Sequence, residues 1–442
     1  MYCAVPKAQF IGFAALMILL AGCDSWLGAS ENKPLLGERI GVLRGVGEIA
    51  IDERIQDLKI LLPRPNLNDD WPQAGGYPNH AMHHLAAPGP LREQWRRNIG
   101  EGSSDDGQLL AQPVIADGKI YTLDTKAEVS AFDQKSGSLL WRVALSKDDE
   151  EGILGGGVAF DDDRLIATTG FADVIALNAE TGKEIWRKRL SGPMRAAPTV
   201  WKGRVFAVTV ANELSVLSAN DGRELWTHSG LREVAGLLGG APPAVDGGVV
   251  VVPFSSGEVV ALRVENGRQV WRESLTATGR SDALTAIAHI RGQPVIDRGI
   301  VYIVGNSNRT VAVDLRTGNR LWEVAIGGVH GVWVAGDFIY VVTHNAEVIC
   351  LTRRGGHVRW MAQLAGFEDA EDQTGPILWS GPVVAGNRLL VANNIDQVWS
   401  LSPYTGNILG RIDISSPVLI PPIVASETLY VLTDEAELIA FR

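Results

Sequence analysis

The chain has 442 residues, of which 46% are hydrophobic and 21% are charged, the proportions of an ordinary globular protein. Its formal net charge of -11 comes with no basic stripe, which excludes nucleic acid as a partner. The 49 glycines and 13 tryptophans indicate many tight turns between short strands. Cys3 and Cys23 lie near the N-terminus and leave Cys350 alone in the body of the chain. A fold held by disulfides or by cysteine-bound metal is therefore excluded.

Residues 1–22 are typical of a bacterial export signal. Lys7 precedes an uncharged apolar run from Phe10 to Leu20, which is too short to span a bilayer. The run leads into the sequence Leu-Ala-Gly-Cys ending at Cys23, which resembles a bacterial lipobox. This resemblance implies that the signal is cleaved and that acylated Cys23 anchors the mature protein to a membrane. An uncleaved anchor and a plain secretory signal are the alternatives.

The next region, residues 23–64, is interpreted as the lipidated cysteine and a tether. It mixes glycine, charge and short apolar pieces, and Pro63 and Pro65 close it. Asp24 directly follows the cysteine. An aspartate at this position resembles an inner-membrane retention signal of some bacteria, so the sequence leaves the choice of membrane open.

From residue 65 to residue 442 one motif recurs, in which a small residue is followed at fixed spacing by a glycine and then a tryptophan. The glycines are Gly137, Gly182, Gly222, Gly267, Gly318, Gly356 and Gly406. The tryptophans are Trp141, Trp186, Trp226, Trp271, Trp322 and Trp360, and the seventh copy has Gly410 instead. Successive tryptophans are between 38 residues (Trp322 to Trp360) and 51 residues (Trp271 to Trp322) apart. Such periods, with alternating strands and no helical periodicity, predict the blades of a β-propeller.

A second motif fills each period and sets the number of blades. It begins with a proline or small residue and an apolar pair, and its eight copies start at Gln112, Gly157, Ala197, Pro242, Gln293, Gly331, Gly381 and Pro421. Trp95 lies 46 residues before Trp141 and has no blade of its own, whereas the chain ends at Arg442, where another tryptophan strand should follow. We therefore predict an all-β, eight-bladed propeller whose N-terminal strand completes the last blade and leaves no free sheet edge. Seven blades are the alternative.

The repeat resembles the PQQ-type propeller repeat, which is found in two functional families. One is the family of the lipoprotein BamB, and the resemblance to it covers the lipobox, the tether, the segment from Asp70 to Gln73 and the eight blades. It implies a lipid-anchored scaffold on the periplasmic face of the outer membrane, without catalysis or cofactor. Its partners would be the barrel-forming subunit BamA, other members of the β-barrel assembly complex and unfolded outer-membrane proteins.

In the BamB family, one rim of the propeller contacts BamA through a Leu-Arg-Gly loop and an Asp-x-Asp loop. The resemblance carries these loops to Leu237, Leu238 and Gly239, and to His289, Ile290 and Arg291. Both loops depart from the family pattern, since Leu238 replaces the arginine and His289 and Arg291 replace the acids. The alternative is that these are ordinary loop residues.

The second family, the quinoprotein dehydrogenases, gives the rival interpretation of an oxidoreductase that depends on PQQ. Its members resemble one another in a vicinal cysteine pair, a Ca²⁺ site and an aspartate base, and this chain has no cysteine pair. A propeller that binds an envelope ligand in its axial channel is a third interpretation. His80, His83 and His84 have a spacing that could hold a metal, but no carboxylate or cysteine completes the set. We therefore predict a polar segment there and no metal.

Overall fold

The computed structural model describes residues 49–105, 107–146, 155–233, 237–276 and 288–442. The predicted export signal, Cys23, Asp24 and the first part of the tether lie outside these ranges. Within them, the helical structure is one 3₁₀ turn, Glu53–Ile55, which is far too short to span a bilayer. All other regular elements of the described residues are β-strands.

The described strands form eight four-stranded antiparallel sheets, which confirms the predicted eight-bladed propeller. In chain order the strands are β1 (Glu93–Asn98); β2 (Val114–Ala116), β3 (Lys119–Leu123), β4 (Glu128–Asp133) and β5 (Leu139–Ala144) of blade 1; β6 (Gly156–Asp161), β7 (Arg164–Thr169), β8 (Asp173–Asn178) and β9 (Glu184–Arg189) of blade 2; β10 (Thr199–Trp201), β11 (Arg204–Val208), β12 (Glu213–Ser218) and β13 (Glu224–Ser229) of blade 3; β14 (Ala244–Asp246), β15 (Val249–Pro253), β16 (Glu258–Arg263) and β17 (Gln269–Ser274) of blade 4; β18 (Val295–Asp297), β19 (Ile300–Gly305), β20 (Arg309–Asp314) and β21 (Arg320–Val324) of blade 5; β22 (Trp333–Ala335), β23 (Phe338–Val342), β24 (Glu347–Thr352) and β25 (Val358–Gln363) of blade 6; the hairpin β26 (Phe367–Asp369) and β27 (Thr374–Pro376); β28 (Trp379–Ala385), β29 (Arg388–Asn393), β30 (Gln397–Leu401) and β31 (Ile408–Asp413) of blade 7; and β32 (Ile423–Ala425), β33 (Thr428–Leu432) and β34 (Glu437–Phe441) of blade 8.

The ring closes as predicted, because β1 supplies the fourth strand of blade 8. It pairs antiparallel with β34, and Trp95 lies opposite Ala440 in the register. The two ends of the repeat region therefore meet in one complete four-stranded blade.

The recurring motif is a cross-strand pair followed by a contact with the next blade. The small residue of each copy lies opposite the tryptophan, as with Ala176 and Trp186, and a register shift follows at once. The indole then packs on the turn glycine of the next blade and donates a hydrogen bond to a carbonyl of that turn. Trp186, for example, packs on Gly222, and its Nε1 donates to the carbonyl of Ala219 at 2.9 Å. The tryptophans thus join neighbouring blades, while the third strands between them are almost wholly buried.

The described part of the predicted tether, residues 49–64, lies against the outer strand of blade 6. The amide of Asp52 donates to the carbonyl of Val358, and Arg359 Nε donates to the carbonyl of Leu58, both at 2.9 Å. Ile60 is buried in the same hydrophobic cluster as the strands of blades 6 to 8. This stretch therefore leads the chain along one blade toward the propeller axis.

Candidate functional site

A strap formed by residues 66–86 runs around the inside of the propeller and contacts every blade. The innermost strand of each blade has one edge without a neighbouring strand, and its buried amides and carbonyls need hydrogen-bond partners. The strap supplies such partners in seven blades, through Asn68 with Val424 and Ser426 of blade 8, Trp71 with Ile115 of blade 1, Pro72 with Phe160 of blade 2, Gln73 with Val200 of blade 3, Pro78 with Val245 of blade 4, Asn79 with Ile296 of blade 5, and Leu85 with Val384 of blade 7. At blade 6, the indole Nε1 of Trp333 donates to the carbonyl of His83. One side of the axial channel is thereby filled by backbone.

Trp71 fixes the strap in the core. Its side chain is 1% exposed and stacks on Trp333 with ring centroids 6.4 Å apart. Its Nε1 donates to the Oε1 atom of Gln112 in blade 1. The sequence motif around this tryptophan therefore marks the start of the strap.

The three histidines of the strap have separate structural partners. His80 Nδ1 lies 2.7 Å from the carbonyl oxygen of Pro294, and burial lowers the pKa of His80 to about 4. His84 Nδ1 lies 2.7 Å from the carbonyl oxygen of Pro63, whereas His83 Nε2 lies 3.4 Å from Asp297 Oδ1. In the described ranges, no three metal-ligating side chains come together.

On the other side of the strap lies an axial cavity of about 140 Å³. Residues that lead into the inner strands of all eight blades form its wall, and Trp71 and Gly75 of the strap contribute to its lining. Among the described residues of its lining, the charged or titratable ones are Arg195, Arg291 and His330, and none is an Asp or Glu. Burial, followed by the charge of Arg291, lowers the pKa of His330 to about 3, so this imidazole is neutral at pH 7.

The two loops singled out in the sequence meet beside this cavity, in a rim cleft of about 280 Å³ that Leu237, Gly239 and His289 line together. The ring of His289 faces the backbone of Leu237, which favours the protonated imidazole. Burial, followed by the charges of Arg291 and Arg195, lowers the pKa of His289 to about 4.

The remaining predicted rim residues have different environments. The Arg291 side chain passes so close to Gly239 that an added Cβ there would lie 3.2 Å from Arg291 Nε. Gly239 also has a φ of +91°, which favours glycine. Leu238 is half-buried, whereas Ile290 is 1% exposed and belongs to a hydrophobic cluster of blades 4 and 5. Ile290 therefore offers no surface to a partner.

Arg195 is a residue of this site that the sequence reasoning missed. It lines both the axial cavity and the rim cleft, between blades 2 and 3. A signal for it exists, since Arg195 and Arg291 both lie two residues before the start of an inner-strand motif. At that position, the other six copies have Leu110, Gly155, Gly240, Val329, Trp379 and Leu419. Arg195 and Arg291 are thus the charged residues among the eight copies of this position.

The axial cavity does not fit the quinone cofactor of the rival family. A Ca²⁺ ion needs several oxygen ligands, usually with carboxylates among them. The described residues that line this cavity include no carboxylate. The one cysteine of the described residues, Cys350, is buried opposite Trp360 in blade 6. These described residues therefore do not match a site for the quinone and its Ca²⁺ ion.

Known proteins resemble this chain both in sequence and in fold. An outer membrane protein assembly factor BamB of Yersinia pestis is 27% identical over 356 residues, which cover 78% of this chain and 88% of that protein. An uncharacterised protein of Rickettsia prowazekii is 27% identical over 260 residues, 58% of this chain and 63% of that protein.

Two solved structures show the same fold. The crystal structure of BamB from Moraxella catarrhalis has a TM-score of 0.67 at 19% identity and covers 80% of this chain and 100% of its own. A quinohemoprotein alcohol dehydrogenase of Comamonas testosteroni has a TM-score of 0.65 at 14% identity, over 89% of this chain and 82% of its own. The family model described as outer membrane protein assembly factor BamB matches residues 125–362 and 367–442. Since this match spans well over half of the sequence, the chain belongs to the BamB family.

Proposed function

We propose that this protein is a non-catalytic scaffold in the assembly of outer-membrane β-barrel proteins. Membership of the BamB family is the observation that carries the proposal. The proposed location is the periplasmic face of the outer membrane, with acylated Cys23 as the anchor. The proposed partners are a BamA-type barrel-forming subunit, other members of the complex and unfolded outer-membrane proteins.

The rim cleft is the proposed contact with the barrel-forming subunit. Two loops from different blades form it, with Leu237 and His289 lining it side by side. A cleft of this kind can accept an apolar side chain against Leu237, as the buried centres of protein interfaces commonly do. Arg291 stands where the family pattern has an acid, so charge complementarity predicts that the partner offers an acidic or neutral group there.

We propose the absence of catalysis because of the side chains that line the axial cavity. The described lining has no carboxylate to act as a base or to hold Ca²⁺, and the strap occupies one side of the channel. A visible or near-ultraviolet absorbance from a bound quinone in the purified protein would contradict this part of the proposal.

Binding of the barrel-forming subunit to wild-type protein and to Leu237→Asp tests the rim. We expect the substitution to weaken binding at least about ten-fold, because a charge would enter an apolar contact at the centre of the interface. Leu409→Asp is the matched control, because Leu409 is 56% exposed on the outer strand of blade 7. Undiminished binding by a folded Leu237→Asp protein, or equal loss in both variants, would exclude this rim.

A further inference from the structure

The lining of the axial cavity has a charge opposite to that of the whole protein. The chain has a net charge of -11, yet Arg195 and Arg291 are the charged residues of the lining. In the part of the chain that the structure describes, neither guanidinium lies within 4 Å of a carboxylate oxygen. No described carboxylate therefore neutralises the charge of the cavity.

Two glutamines also line the cavity, and they differ in their hydrogen bonds. The side chain of Gln112 has its partners within the protein, since its Oε1 accepts from Trp71 and from the Gly75 amide, and its Nε2 donates to Pro421. The amide of Gln293, beside Gly75, makes no hydrogen bond within the described residues. It can therefore donate to a ligand in the cavity.

We propose that the axial cavity binds a small oxyanion, a carboxylate or a phosphate, between Arg195 and Arg291. A guanidinium offers a planar fork of donors that matches two oxygens of either group. A partly buried cation without a counter-charge is costly, and a bound anion removes that cost. Burial lowers the pKa of Arg291, as expected for a guanidinium that is largely shielded from water.

The size and closure of the cavity limit the ligand. A volume of about 140 Å³ suits inorganic phosphate or a short dicarboxylate, and the strap leaves access from the rim side. This site goes beyond the proposed scaffold function. It would exist whether or not the rim binds a barrel-forming subunit, because both arginines line the cavity of the chain by itself.

Thermal unfolding of the full-length protein in chloride buffer, with phosphate or succinate added at constant ionic strength, tests the proposal. We expect one of the two anions to raise the melting temperature saturably, since a ligand of the folded state stabilises it. The fluorescence of Trp71 and Trp333, which both line the cavity, should respond over the same concentrations. A preference for phosphate assigns phosphate chemistry to the site, and a preference for succinate assigns carboxylate chemistry.

Arg195→Gln and Arg291→Gln supply the decisive comparison. Each should need at least about ten-fold more anion for half of the effect, as expected for loss of a charge-assisted hydrogen bond. Without anion, each should melt at the wild-type temperature or above it, because an uncompensated cation has been removed. Arg223→Gln, at an exposed arginine of blade 3, is the control and should behave as wild type. The proposal is overturned if neither anion acts saturably, or if the control loses as much as the cavity variants.

Discussion

Replacement of Gly222 by alanine should separate backbone strain from crowding at a blade interface. Gly222 has a φ of +70°, and an alanine Cβ there would lie 2.6 Å from Cε3 of Trp186 in the preceding blade. The positive φ costs a non-glycine residue about 1–2 kcal/mol. Crowding in a packed interface typically adds about 1–3 kcal/mol. We therefore expect Gly222→Ala to lower the free energy of unfolding by roughly 2–5 kcal/mol, the sum of these two costs.

Gly203 provides the matched control in the same blade. Its φ is +71°, but an added Cβ would find no atom within 4 Å. Gly203→Ala should therefore show the backbone cost alone, about 1–2 kcal/mol. Urea denaturation followed by tryptophan fluorescence gives both values, provided that the slope of the transition is unchanged. Equal destabilisation by the two substitutions would refute the packing of Trp186 on Gly222 as a source of stability.

Three further predictions concern buried polar groups. Trp186→Phe removes the hydrogen bond to the Ala219 carbonyl and should cost about 1–2 kcal/mol in urea denaturation, and a cost near zero would contradict its role. Asp297→Asn leaves buried Arg353, whose Nη1 lies 2.5 Å from Asp297 Oδ2, without its counter-charge and should cost about 3–5 kcal/mol. Burial alone would raise the pKa of Asp297, but the hydrogen bond and charge of His83 and the charge of Arg353 hold it below 3.8. The contribution of Asp297 to the free energy of unfolding is therefore present above pH 3.8 and is lost on further acidification. Burial raises the pKa of Asp434 from 3.8 to about 6, so the wild type loses stability as the pH rises through this window. Asp434→Asn should then raise the free energy of unfolding by roughly 1 kcal/mol at pH 7, after allowance for the partial exposure of Asp434. Below pH 3.8 it should have no effect, and a difference that does not depend on pH would contradict the raised pKa of Asp434.

The blades could be predicted because every blade uses the same contact. The tryptophans recur once per blade because each packs on the turn glycine of the next blade. Trp95 has the same role, and this predicted the strand that closes the ring. The structure also explains Gly410. In blade 8 the third and fourth strands come from opposite ends of the repeat region, so no hairpin turn joins them. A tryptophan at position 410 would have no turn glycine to pack on.

The strap and the axial cavity could not be predicted in the same way. The strap bonds the inner strands mostly through its backbone, as in the pair Trp71 and Ile115, and backbone hydrogen bonds leave no periodic pattern of side chains. The contact between Leu237 and His289 depends on the placement of two loops from successive blades. Arg195 comes from a third loop, and only the closed ring brings it beside Arg291.

The central claim, a role as an assembly scaffold, is tested most directly by the partners of the native protein. Bacterial envelopes would be solubilised in a mild detergent, the lipoprotein captured, and the proteins that accompany it identified by mass spectrometry. The account predicts the recovery of a large β-barrel subunit, in amounts that fall when the Leu237→Asp variant is captured instead. Recovery of respiratory components, or of the propeller alone with a bound chromophore, would contradict it.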